Sequence, residues 1–309
     1  MTIDGNPGKP RVGFIGLGLM GQGMAQNLVA KGFPLTVRAH RKRDAVERLV
    51  AAGANEVSTN AAVAQAADVV LLCVTGAPQV EEIVAGPDGI ESAGRRGLIV
   101  VDTSTSEPST TTRLRTRLAT QGIRFVDAPL SRTPAEAMAG RLNTMVGADD
   151  ATFAEVRPVL AAFCENVFHV GPPGHGHIVK LLNNFIAQAI CTATAEACAA
   201  AVKSGLSLQS LFDVVNAGGA ASPIFRALLG PMLEDGRLDG LKFTLANAMK
   251  DLRYYTHLAE SLPVSAVVGE AVHQSLVNAN LLGFGESYVP SLVEAQEKLS
   301  GIAIVPRRS

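Results

Sequence analysis

The sequence predicts an α/β fold in which a doubly wound parallel sheet fills the first half of the chain and helices alone fill the second. Three observations carry that prediction. Short continuous apolar runs alternate with helix-like stretches as far as Ala128, the pattern of strands covered on both faces. A glycine-rich turn, Gly16-Leu17-Gly18-Leu19-Met20-Gly21, joins the first of these runs to the first helix. From about His177 onward the pattern is helical, with no convincing strand.

The elements follow in order. Arg11 to Ile15 is the first apolar run, and Met20 to Lys31 reads as a helix stopped by Gly32. Leu35 to Val37 is a second strand, followed by a helix from Asp44 to Ala52 that ends at Gly53. Asp68 to Val74, Leu98 to Asp102 and Phe125 to Ala128 are further strands. Alternation of this kind belongs to the doubly wound α/β class. The Gly- and Pro-rich stretch from Val170 to Gly176 marks a domain boundary. Ile178 to Ala201 is then one run of helix formers without Gly or Pro. At 1.5 Å per residue it reaches about 35 Å, long enough to link two domains. The organisation expected is a loose tail over 1–10, a dinucleotide-binding sheet domain over 11–172, and an all-helical domain over 173–309 that opens with the linking helix.

Composition narrows the function. The chain has 309 residues, a formal net charge of -1 and no Trp, which argues against a nucleic-acid-binding surface or a base-stacking platform. The four cysteines, Cys73, Cys164, Cys191 and Cys198, lack metal-type spacing and read as buried free thiols of a reducing compartment. No secretory pattern opens the chain, and no stretch reaches the roughly 18 uninterrupted apolar residues of a membrane span. A cytoplasmic protein with no membrane partner is expected. His169, His175 and His177 cluster near the boundary, but the tract runs through Gly and Pro without a carboxylate at helical spacing, so no metal is expected.

The glycine turn points to a dinucleotide. Gly16 permits a tight turn, Gly18 lets the backbone approach a pyrophosphate, and Gly21 allows close helix–strand packing. The helix start at Leu19 and Met20 offers free N–H groups and the positive dipole end to the phosphates. An NAD site usually carries Asp or Glu about 20 residues beyond the glycines. Here the chain reads Val37-Arg38-Ala39-His40-Arg41-Lys42-Arg43, with no carboxylate before Asp44. Cations there suit a 2′-phosphate, so NADP(H) is favoured and NAD(H) is the alternative.

The run from Gly16 to Leu28 resembles the opening of the β-hydroxyacid dehydrogenase family, of the 3-hydroxyisobutyrate dehydrogenase type. Three further blocks match in order: Asp102 to Pro108, Asp127-Ala128-Pro129-Leu130-Ser131, and Gly171 to Gly176 with Lys180, Asn183 and Asn184. A weaker fourth is Lys250-Asp251. The resemblance implies a Rossmann-type domain followed by an all-helical one, a homodimer or homotetramer, and a nicotinamide-dependent oxidoreductase acting on a small anionic substrate. It places Gly16, Leu17, Gly18, Leu19, Met20, Gly21, His40, Arg41, Thr75, Thr105 and Lys250 at the cofactor, with Arg41 the best-placed cation and His40 and Arg38 as alternatives. Lys250 is an alternative substrate contact.

Reducing a carbonyl leaves negative charge on its oxygen, which something must protonate or hold. Lys180 lies just inside the long helix with Asn183 at i+3 and Asn184 at i+4, on one side of it. Read from spacing alone, the three are equally a surface lysine and two capping asparagines. The resemblance implies that Lys180 is the general acid in reduction and base in oxidation, Asn184 its orienting partner, and Asn183 a substrate contact. The positive helix end would lower the proton affinity of such a lysine.

The substrate loop departs from the family pattern. Most relatives have Ser-Gly-Gly where this chain has Ser131-Arg132-Thr133. The nearest pattern is the Gly-Arg-Thr of sulfolactaldehyde reductase. Arg132 adds a fork suited to an oxyanion, and the expectation is that Ser131, Arg132 and Thr133 bind the substrate's anionic group. The alternative is a guanidinium turned to solvent or to the cofactor phosphates. Two other functions compete: a cofactor-binding module without catalysis, and an imine-reductase-like enzyme. Lys180 and Asn184 disfavour both.

Overall fold

The computed structural model describes residues 8–40 and 43–306. Most of the tail expected over 1–10, and Arg41, lie outside the described residues. The chain divides into two compact units, one ending at Lys180 and one from Leu181 onward.

The first unit begins β1 (Val12–Ile15), α1 (Gly21–Ala30), β2 (Leu35–Arg38), α2 (Asp44–Ala51), β3 (Asn55–Val57), α3 (Asn60–Ala66), β4 (Val69–Leu72), α4 (Ala77–Ala85), β5 (Ile99–Asp102), α5 (Pro108–Ala119) and β6 (Arg124–Asp127). It continues with β7 (Leu130–Ser131), α6 (Pro134–Met138), β8 (Leu142–Gly147), α7 (Asp150–Leu160) and β9 (Cys164–Gly171). The sheet order is β3-β2-β1-β4-β5-β6-β8-β7, with β9 paired to β8. The strands from β3 to β6 are parallel. Beyond them β8 runs antiparallel to β6 and β7 and parallel to β9, so the wholly parallel sheet expected from the sequence acquires a mixed edge. The strand order reverses direction between β1 and β4. In open α/β sheets the crevice at such a switch point, outside the carboxyl ends of the strands, is where ligands bind.

Alternation within each strand builds two cores. Val12 and Phe14 of β1, Val69 and Leu71 of β4, Ile99 and Val101 of β5, and Val126 of β6 face one cluster, with Met24, Leu28 and Phe163. Ile15, Val70, Leu72, Val100 and Phe125 face the other, with Ile83, Leu114 and Leu118. Both faces are covered, which is why these strands read as continuous apolar runs rather than alternating ones.

The helices that follow are α8 (His175–Lys203), α9 (Leu208–Ala217), α10 (Pro223–Asp235), α11 (Leu245–Ser261), α12 (Val267–Ala279) and α13 (Leu292–Ser300). At 29 residues and 1.5 Å each, α8 is about 43 Å long. It has the length and composition of a membrane span, yet it buries Asn184, Gln188, Thr192 and Thr194 beside Leu181, Cys191, Ala195 and Cys198. In the second unit Phe185 stacks on Tyr255 of α11 with ring centroids 4.2 Å apart.

All four cysteines are free; Cys164, Cys191 and Cys198 are buried, while Cys73 is partly exposed. Burial pushes each of the three buried thiols up to about 12, which removes the reactive thiolate at neutral pH. Burial pushes Cys73 up as well, to about 11, so a native thiol titration with Ellman's reagent at pH 8 is expected to label none of the four rapidly, and denaturation to release all four. Fast native labelling of several thiols would contradict this packing.

Candidate active site

The glycine loop lies at the carboxyl end of β1. Gly16 has φ +105°, and a Cβ there would sit 2.2 Å from the Cys73 carbonyl oxygen, so the first glycine is demanded both by conformation and by the neighbouring end of β4. A Cβ on Gly21 would meet the Gly16 oxygen at 2.0 Å, whereas one on Gly18 meets nothing within 4 Å. The loop is thus tight at its two ends and open in its middle. No side chain caps α1. Thr59, Asp149, Ser207, Ser222 and Thr244 do cap α3, α7, α9, α10 and α11. The uncapped N–H groups and the open space over Gly18 fit a pyrophosphate. Leu19 is 72% exposed, and Leu17 and Met20 are half-buried against the core. Thr75, exposed after β4, and Thr105, half-buried after β5, stand on neighbouring loops of the same edge.

The end of β2 carries no carboxylate. Arg38 is tied down, donating from Nε to the Ser58 oxygen at 3.2 Å and from Nη1 to Asn60 Oδ1 at 2.8 Å. Arg43 is paired with Glu56 and Glu47. His40 is exposed.

A buried polar cluster lies at the ends of β5 and β6. Asp127 is fully buried, and its carboxylate accepts the Gly174 N–H at 2.6 Å and the His177 N–H at 2.9 Å. It caps α8 from a strand 47 residues earlier in the chain. A Cβ on Gly176 would lie 2.4 Å from the Met145 oxygen and 2.8 Å from the Asp127 carboxylate, and one on Gly147 would lie 2.6 Å from it. The stretch that reads as a flexible boundary is therefore a close-packed helix start. Asp102, also buried, accepts the Ser104 N–H at 2.9 Å and the Ser106 hydroxyl at 2.8 Å. Lys180 sits in the second turn of α8, half-buried. Sequence reasoning missed the anchoring role of Asp127, which it names only within a block that resembles the family. The available signal was a carboxylate closing an apolar strand together with Gly174-His175-Gly176 opening a helix.

Ser131 is half-buried at the end of β7. Arg132 has φ +84°, the conformation that glycine occupies at least cost. Its guanidinium donates to the Glu165 carboxylate and to the Arg141 carbonyl. Its charge is therefore paired within the unit; the sequence offers it to a substrate anion, to solvent or to the cofactor phosphates. Thr133 caps α6, where its hydroxyl and N–H hold the Glu136 carboxyl below the usual range.

In the second unit the Asn184 carboxamide is oriented on both sides. Its Oδ1 accepts from Asn183 Nδ2 at 3.1 Å, and its Nδ2 donates to Asp251 at 2.6 Å. Asn184 is buried and Asn183 exposed. Lys250 pairs with Asp251 at 2.9 Å, and its ammonium lies 5.0 Å from the Tyr254 ring centroid. Among the described residues no group of three His, Cys, Asp or Glu side chains forms a metal-ligating cluster.

Residues 11–171 match the NAD binding domain of 6-phosphogluconate dehydrogenase, and residues 174–290 match the NAD-binding region of NADP-dependent 3-hydroxyisobutyrate dehydrogenase. The chain is 32% identical over 295 residues to the 2-(hydroxymethyl)glutarate dehydrogenase of Eubacterium barkeri, spanning 95% of this chain and 97% of that protein. Among solved structures, Mycobacterium tuberculosis 3-hydroxyisobutyrate dehydrogenase with L-serine has a TM-score of 0.82 at 25% identity, over 93% of this chain and 98% of that one. Psf3 in complex with NADP+ and 2-OPP has a TM-score of 0.78 at 29% identity, over 92% and 99%.

The cap on α8 is open to direct test. Each hydrogen bond to a buried carboxylate contributes about 1.5–3 kcal/mol, so Asp127→Ala is expected to destabilise the protein by at least about 3 kcal/mol. Urea unfolding measures this as a lower midpoint. A midpoint equal to that of the unmodified protein would remove Asp127 as the anchor.

Proposed function

Since the chain belongs to the β-hydroxyacid dehydrogenase family and is an NAD(P)-dependent oxidoreductase, we propose that it interconverts a small anionic 3-hydroxy acid and its semialdehyde, with NADP(H) preferred and Lys180 as the acid and base. The observation that carries this reading is Lys180 on a helix whose start is fixed by a buried carboxylate, with Asn184 one turn further along it.

The open first turn of α1 and the space over Gly18 would receive the cofactor's pyrophosphate, with Thr75 and Thr105 on the adjoining loops. When bound, the nicotinamide supplies hydride for reduction or accepts it in oxidation. In oxidation a neutral Lys180 takes the hydroxyl proton as the carbonyl forms; in reduction its ammonium returns a proton to the carbonyl oxygen. Asn184, held by Asp251 and Asn183, keeps one amide N–H with which to orient the substrate oxygen.

The anion is assigned to the Ser131 hydroxyl and the loop backbone. Arg132 shapes that loop in the glycine-like conformation and has its charge balanced by Glu165. This revises the sequence expectation, because a guanidinium already paired has less to offer a second oxyanion. A panel of 3-hydroxyisobutyrate, L-serine, 2-(hydroxymethyl)glutarate and a three-carbon hydroxysulfonate, assayed with NADP+, separates carboxylate from sulfonate selection. Oxidation of none of them would remove the proposal.

Two variants test the assignment further. Lys180→Ala should lower kcat by at least about 10²-fold, the lower end for general acid–base catalysis, with NADPH affinity little changed. Retention of most of kcat when chemistry limits the rate would refute the role. The protein should also bind NADPH more tightly than NADH, and neutral residues at His40 and Arg41 should weaken NADPH more. Tighter binding of NADH by the unmodified protein would refute the cofactor preference without any variant.

A further inference from the structure

His177 is fully buried three residues before Lys180 on α8. Burying an imidazole without hydrogen-bond partners is costly, and here both ring nitrogens have one. Nε2 lies 3.2 Å from the Ser104 carbonyl oxygen, and Nδ1 lies 2.7 Å from the Thr111 hydroxyl. A carbonyl only accepts, so Nε2 donates to Ser104; Nδ1 meets the Thr111 hydroxyl, whose single proton is shared between that ring nitrogen and the Glu107 carbonyl oxygen 3.3 Å away. Asp102 stands 3.7 Å from Nε2, outside hydrogen-bond range, and its oxygens are occupied by Ser104 and Ser106.

These bonds join three separate elements. Ser104 lies in the loop after β5, and its hydroxyl also accepts the Val74 N–H at 3.0 Å, so that loop is joined to the end of β4. Thr111 is on α5. The His177 backbone, meanwhile, is held by Asp127. An apolar side chain of similar volume would fill the space but fix no distance between α8 and the β5 loop.

We propose that His177 is a positioning residue, whose imidazole locks the loop after β5, which carries Thr105, to the helix carrying Lys180 and so keeps that loop and the proton donor in register. The proposal rests on the reading of Lys180 as acid and base. Misplacement by about 1 Å costs on the order of 10²-fold in rate. Substitution at His177 should therefore act on the chemical step and leave cofactor binding nearly intact.

Three variants divide the two bonds. His177→Gln keeps a donor near the Nε2 position for Ser104, His177→Asn keeps an acceptor near Nδ1 for Thr111, and His177→Leu keeps volume alone. They are assayed on whichever of the panel compounds the unmodified enzyme oxidises fastest, with and without deuterium at the carbinol carbon. His177→Leu is expected to lose about 10²-fold in kcat, to bind NADPH within about threefold of normal by fluorescence, and to show a larger primary isotope effect. His177→Gln should recover at least about tenfold of that loss. If His177→Leu fails to fold, Thr111→Val and His177→Gln carry the same isotope test. A loss of active sites with an unchanged isotope effect would overturn the proposal in favour of simple packing.

The second readout needs no turnover. The ¹⁵N shifts of the His177 imidazole in the cofactor-free protein should report Nε2–H, and Nδ1–H would overturn the hydrogen-bond pattern. Lys180→Ala serves as the separating control. If that variant keeps its activity, the reading of Lys180 fails, while the imidazole shifts still judge the link between His177 and Ser104.

Discussion

The buried carboxylate of Asp127 is the constraint on which the candidate site depends. A helix N-terminus leaves its first N–H groups without intrahelical partners, and at the start of α8 Gly174 and His177 are buried, where water does not supply them. Asp127 accepts two of them from the end of β6. A side-chain acceptor at the positive end of a helix gains from both hydrogen bonding and the helix dipole. The start of α8 is thereby referred to the sheet and not to the connecting chain. Every side chain on the first two turns, Lys180 included, inherits its placement from that strand.

The glycines around this contact follow from it. Gly147 on β8 and Gly176 on α8 stand where any Cβ would enter the volume of the Asp127 carboxylate or the Met145 carbonyl. The same logic governs the cofactor side, where Gly16 yields to the end of β4. In both places a polar backbone or carboxylate is brought close by removing side chains. The cost in chain entropy is accepted where a precise distance is needed.

Much of this could be read from the residues. The strands buried on both faces, β1, β4, β5 and β6, announced themselves as continuous apolar runs, and the glycine turn gave the fold its switch point. The strands β3, β8 and β9 did not. Asn55–Val57 is short and exposed, and Cys164–Gly171 is largely exposed or half-buried along its length, so neither shows an apolar run. Gly171 to Gly176 read as a domain boundary because composition reports conformational freedom but not the neighbour that uses it. The contact of Arg132 with Glu165 was not legible because the two lie 33 residues apart in sequence. His177 read as one of three clustered histidines, and only the fold shows that Thr111 and Ser104 enclose it.

The tether on Arg38 bears on any redesign of cofactor choice. Its guanidinium is spent on the turn between β3 and α3, through Ser58 and Asn60. Exchanging it for an acidic residue would place a carboxylate against the Ser58 carbonyl and unfasten that turn. Stability and selectivity are thus coupled at residue 38 but separable beyond it. A designer would begin at His40, which is exposed at the end of the same strand.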